Sequence, residues 1–255
     1  MRIANYSQVL FDALQYSGND RQNITADTFA QFRDFTNARM REAWEASDWI
    51  DICRIAKNAI TVDTLGVASF VPIATAGEIL AVYYKNPQET TKATQIPFQI
   101  YDLGTSRKVI VNAAVSEVWY VYRLNCPTLT GELYSPTVVY YKDAQVYFDS
   151  GSGTGSYTPV LGRPHAGNFY TCTATSTIAG QNPNTNASSW TKIDIPYVFS
   201  SFMAWAAAAN WFVSEGQMQE AATIEAKAAS VLEMEYDKML RQQSQFGRIN
   251  MTNTY

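Results

Sequence analysis

Residues 197–213, YVFSSFMAWAAAANWFV, constrain the fold of this 255-residue chain more than any other stretch. Phe199, Phe202, Met203, Trp205, the alanines 206–209, Trp211 and Phe212 occupy every angular position of a helix. Such a helix has no face to give to water and must be covered all round. Asp194 and Pro196 supply a helix start, and Glu215-Gly216 a stop. Asn210 and two serines interrupt the run and a polar helix follows at once, which favours a buried helix over a membrane span. Part of the cover is expected from a neighbouring subunit, with Trp205 and Trp211 as interface candidates.

Other helices can cover it in part. From Gln217 to about Gln243, Ala221, Ile224, Ala228, Val231, Leu232 and Met239 fall within one ~100° sector, with charges elsewhere. Glu235 lies inside that sector, where an acid either snorkels near the helix end or meets a partner; the second reading makes it a subunit contact. Near the other terminus, Tyr6, Val9, Leu10, Ala13 and Leu14 share one helical face, Asn5 and Gln8 stand at capping-box spacing, and Gly18 ends the turn. A second one-sided helix, with Phe29, Phe32, Thr36, Met40, Ala43 and Trp44, starts near Thr25 and runs to about Ser47.

From Ile50 to about Leu133 the pattern changes to short β-branched and aromatic runs: 60–62, 67–72, 79–84, 96–100, 108–111 and 117–124. Gly66, Gly77, Asn86-Pro87 and 102–104 punctuate them. The connections are too short for βαβ crossovers, so an antiparallel sandwich or small barrel is predicted. Residues 134–190 are rich in Gly, Ser, Thr, Asn and Tyr and read as a small inserted β module. Its GSGTGS run at 151–156 lacks the Lys and following helix of a phosphate loop and reads as a hairpin tip.

Chemistry is scarce. A net charge of −4 rules out a protein whose affinity comes from a basic nucleic-acid groove, because phosphate binding is driven by Lys and Arg. Cys53, Cys126 and Cys172 are odd in number and widely spaced, without CxxC, so neither a disulfide framework nor a zinc cluster is implied. A Cys-His hydrolase would need Cys172 beside His165 with Asn168 to orient it, yet Cys172 sits in an alternating strand pattern typical of a packed thiol. Glu78, Asp102, Glu117 and Glu132 are too scattered for sequence to pair them as a glycosidase would require. No enzyme activity, metal or cofactor is expected. The N-terminus lacks a signal-peptide core, so synthesis in the cytoplasm, with no membrane partner, is expected.

Several phrases carry a resemblance. RMREAWEASDWIDI at 39–52, AGEILAVYYKNPQETTKATQIPFQIYD at 76–102 and VSEVWYVYRLNCPTLTG at 115–131 resemble the head-to-tail adaptor (connector or neck) proteins of tailed bacteriophages. The segment 193–245 resembles their closing helix pair. Residues 169–193, FYTCTATSTIAGQNPNTNASSWTKI, are similar to part of small chitin-binding-type carbohydrate modules. The first resemblance implies a virion neck protein, made in the host cytoplasm, that forms a ring of about twelve copies under the portal protein. Tail or neck components would attach to it, and genomic DNA would pass through its lumen without sequence-specific contact. The second makes Tyr170 and Trp190 glycan-stacking candidates and a receptor- or glycan-binding virion protein acting through 134–192 the alternative function. Equally, Tyr170, Pro183 and Trp190 suit the module's own core.

The expected fold is α+β: a helical bundle from both chain ends, an antiparallel β domain and a smaller inserted β module. The expected segments are 1–58 (bundle helices), 59–133 (β domain), 134–192 (inserted module), 193–245 (C-terminal helix pair) and 246–255 (a C-terminal arm). The arm has no helical periodicity; Phe246, Arg248, Ile249, Met251 and Tyr255 are its candidate portal-binding residues.

Overall fold

The computed structural model describes residues 2–89, 93–102, 107–112, 115–149 and 166–251, with side chains described through Gln242. The chain divides into two compact units, one formed by residues 1–47 and 127–255, the other by 48–126.

In the first unit, β1 (Ile3–Ala4) leads into α1 (Tyr6–Tyr16) and α2 (Ala26–Glu45). Thr25 caps α2, its hydroxyl accepting from the Thr28 N–H at 3.1 Å. Asn5 does not cap α1 with its side chain. Its Oδ1 instead accepts from Asn168 Nδ2 at 3.0 Å and from Lys192 Nζ at 3.2 Å, so the residue that looks like a cap ties the start of α1 to a distant strand.

The unit of residues 48–126 holds β2 (Cys53–Ala59), β3 (Thr61–Val62), β4 (Ala68–Phe70), β5 (Ala76–Tyr83), β6 (Phe98–Asp102), β7 (Arg107–Val111) and β8 (Glu117–Leu124). Two antiparallel sheets, ordered β2-β8-β5 and β3-β4-β7-β6, enclose one core. Phe70, Val109 and Val111 from one sheet join Ile79, Val82, Val118, Tyr120 and Tyr122 from the other. The sheets meet at both sides. β2 runs on into β3, and opposite, Ile96 N–H bonds to Val82 C=O at 2.8 Å just before the chain enters β6. The unit begins earlier than expected because Arg54 and Lys57 mask the strand pattern of β2.

Back in the first unit come β9 (Glu132–Leu133), β10 (Gln145–Asp149), β11 (Gly167–Cys172), β12 (Trp190–Lys192) and β13 (Ile195–Pro196). Next are α3 (Tyr197–Ser214) and α4 (Met218–Met251). β13 pairs with β1, and Tyr197 N–H bonds to Arg2 C=O at 2.9 Å, so α3 starts from a two-stranded clasp rather than from an Asp194 cap. Gly216, at φ +75°, turns the chain between α3 and α4.

The expectation of a helical bundle from both chain ends is overturned. Most of the helical length lies in the C-terminal pair, with 18 residues in α3 and 34 in α4, against 11 in α1 and 20 in α2. α1, α2 and α4 each pack on α3. α1 and α2 also pack on the sheet β12-β11-β10-β9, which is mixed because β9 runs parallel to β10. The fold of the described residues is therefore α+β with four helices and four sheets.

Nor is the segment from 134 to 192 separately packed. Tyr147 and Phe169, opposite each other on β10 and β11, meet Tyr6 and Phe29 with ring centroids 4.8–6.1 Å apart. On the other face Val146, Phe148 and Cys172 join Tyr134 and Trp190. Buried on both faces, this sheet reads poorly by simple alternation.

Gly167 sits where this core is tightest: a Cβ there would overlap the Tyr147 phenol and lie 3.1 Å from the Ser7 Cβ. Gly167→Ala is expected to displace Tyr147 and to cost about 1–3 kcal/mol in chemical denaturation, as overpacking does.

Candidate functional site

The residues that the sequence marks for assembly cluster on the α3–α4 hairpin. Trp205 is half-buried, its indole stacked on the Tyr16 ring at 3.6 Å with a 2° interplanar angle. Trp211, also half-buried, stacks on Phe32 at 5.4 Å and 17°. Both tryptophans thus find their first partners on α1 and α2 of the same chain. The alanines 206–209 are fully covered. Glu235 accepts from Lys238 Nζ at 2.6 Å, one turn along α4.

One polar knot holds three helices together. The Arg39 guanidinium on α2 donates to both Glu225 carboxylate oxygens of α4, at 2.9 and 2.7 Å, and to Asn210 Oδ1 of α3 at 2.7 Å. It also donates to Glu42 at 2.8 Å. Only a planar fork serves all these acceptors at once. The sequence signal for it is Asn210, the amide within an otherwise apolar run, though its partner lies 171 residues away.

α3 and α4 run antiparallel from the Gly216 turn. At ~1.5 Å per residue they measure roughly 27 and 51 Å, so the last ~24 Å of α4 reaches past the start of α3. Towards and along this overhang Met234, Tyr236 and Leu240 are exposed at 50%, 38% and 41%. α4 continues as helix to Met251, into the segment expected to be an aperiodic arm. Phe246, Arg248, Ile249 and Met251 fall on this helical backbone; their side chains, and Tyr255 altogether, lie outside the described residues.

The insert is organised differently from a sugar platform. Trp190 is 5% exposed, with Tyr134 and Tyr140 edge-on to its ring and its indole N–H bonded to Gln181 C=O at 3.1 Å. It shows no face on which a sugar could stack. Tyr170, half-buried, packs against the same cluster, and burial raises its phenol above the ordinary tyrosine value. Cys172 is buried, its thiol 3.5 Å from Ala174 C=O. Asn168, the candidate orienting amide, instead accepts from the Tyr6 N–H at 3.3 Å. His165 and the 151–156 run lie outside the described residues.

Among the described residues no helix is long and apolar enough to cross a membrane. No protein-family model and no curated protein matches the chain.

Two substitutions test this geometry. Arg39→Lys keeps the charge but loses the fork; with Glu225 40% exposed and partly screened, a loss of about 1–2 kcal/mol in denaturant unfolding is expected. Trp190→Ala should cost about 3–5 kcal/mol and release the Tyr134 cluster, read as lost near-ultraviolet circular dichroism.

Proposed function

We propose that this chain is a non-catalytic structural protein of the virion neck, a head-to-tail adaptor. Copies form a ring beneath a portal protein, extend the DNA channel and offer a platform to tail components. The observation that supports this reading best is the α4 overhang. A helix extended by some sixteen residues past its intramolecular partner is marginal alone, since isolated helices of that length gain little from their own hydrogen bonds. Apolar side chains along such an extension reward contact with another protein. The excess of acidic over basic residues, 23 against 19, also suits a conduit, because a cationic lumen would hold the phosphates of passing DNA. The glycan-binding alternative draws no support from Trp190, which is core.

Deletion of residues 246–255 tests the docking part. The truncated chain should keep its thermal midpoint within a few degrees, because the buried residues of α4 among those described, Ala221, Ala228 and Val231, all precede the deletion. It should fail to join portal-bearing heads, as seen by electron microscopy of the particles. Attachment at the wild-type level would overturn the role of the overhang.

A further inference from the structure

Besides the stripe it buries, which includes Ala221, Ala228 and Val231, α4 has an exposed row. Ala222, Ala226, Ala229, Glu233, Tyr236 and Leu240 are all exposed, and at ~100° per residue they lie roughly 130° round the helix from the buried stripe. They recur at steps of 4, 3, 4, 3 and 4 residues. That spacing has the 3.5-residue period that keeps one seam of a helix against another helix along its length, so the occupant it suits is a helix.

The row is graded. Alanines fill its first half and Glu233, Tyr236 and Leu240 its second. Laid parallel on itself, it would stack large on large and leave alanines facing alanines. Laid antiparallel, with the dyad at the level of Val231, it sets Leu240 opposite Ala222, Tyr236 opposite Ala226 and Glu233 opposite Ala229. Every large side chain then meets a small one, the arrangement that lets facing layers fill without voids. Like charges do not meet along the flanks. Ser230 lies beside Ser230 and Thr223 beside Asp237 on one side, and Leu232 beside Leu232 and Glu225 beside Met239 on the other.

We infer that α4 pairs antiparallel with α4 of a second copy of this chain through this row. The period alone would admit any helix; the small-to-large grading fits a second copy, because the row is its own complement in this register. The same register covers the overhang. Residues from 236 onward, which outrun α3 within the chain, come to lie along the partner helix from its Ala226 back to its start, the half that is packed on its own α3. The unsupported half of each α4 thus rests on the supported half of the other, and the extension gains the tertiary contact that a helix of its length needs. Such a two-fold pair closes on itself and cannot build a ring. It belongs to the free chain, ends before residue 246 and stands or falls separately from the adaptor reading.

Sedimentation velocity of the full chain over a wide concentration range tests the inference. The wild type should show a monomer–dimer equilibrium. Ala226→Lys and Tyr236→Glu, both at exposed positions, should each weaken the dimer at least tenfold. An equimolar mixture of the two should restore it, because the antiparallel register sets Lys against Glu in one layer and keeps the native Ala and Tyr in its symmetry mate. Should either variant misfold, judged by its melting curve, hydrogen exchange on the wild type replaces it: amides of residues 236–242 should gain protection as the dimer forms. A wild type that stays monomeric, a dimer indifferent to both substitutions, a mixture that fails to pair, or overhang amides unchanged on dimerisation would each overturn the proposal. All of these are read on the free chain, so none of them bears on attachment to portal-bearing heads.

Discussion

The burial of α3 is the constraint on which the rest of its unit depends. Its four consecutive alanines remove side-chain bulk on all sides, so neighbouring elements can approach closely, while Phe199, Phe202 and Met203 fill the wider gaps near its start. α1, α2 and α4 each pack mainly on it, while Arg39 joins α2 directly to Glu225 of α4 and Tyr6 of α1 meets Phe29 of α2. Each of the three turns one apolar stripe to it, and three stripes meeting one largely apolar rod cover most of it, leaving Tyr197 and Val213 at its ends exposed. The polar knot at Arg39 then selects among the ways such surfaces could slide, since its fork reaches Asn210 and Glu225 in only one rotation and register of the three helices.

A second organising contact lies where helices meet sheet. Tyr6, Phe29, Tyr147 and Phe169 come from four elements distant in sequence and are fully or almost fully buried. Around them, polar groups lock position: Ser7 Oγ accepts from the Gly167 N–H at 3.1 Å, and Asn168 bonds both the Tyr6 amide and the Asn5 side chain. Full burial drives the Tyr6 phenol well above its ordinary pKa, so it stays neutral in the core. Apolar contact here supplies the energy, and the short polar bonds fix which strand residue faces which helix residue.

Local patterns in the sequence carried much of the fold. The 3.6-residue stripe placed α2 with its Thr25 start, and alternation broken by turns found most strands of the 48–126 unit. What escaped was set by long-range context. Asn5 has a cap's identity, but its side chain is claimed by Asn168 and Lys192, more than 160 residues on. Trp190 has the composition of a sugar platform, yet it is buried beside Tyr134 and Tyr140, and no local pattern distinguishes a ring facing water from one facing a core. The aperiodic look of residues 246–251 failed to exclude helix, because α4 propagates from a well-packed start and each added residue needs only one more hydrogen bond. The assembly residues Trp205 and Trp211 were legible as large apolar groups on a crowded helix; that their first partners would be Tyr16 and Phe32 was not.

The division of the chain also dictates an order of events during synthesis. α1 and α2 emerge from the ribosome first, but the rod they pack against begins at Tyr197. At about 5–20 residues per second, roughly 8–30 s pass between completion of α2 and arrival of α3. During that interval the unit of residues 48–126, contiguous in sequence, can close its own core. The apolar faces of α1 and α2 wait as unsatisfied surface meanwhile. A nascent chain stalled before residue 197 would therefore present a folded β unit preceded by two helices whose α3-facing sides lack their cover, the state in which this protein is most exposed to chaperones and to premature association.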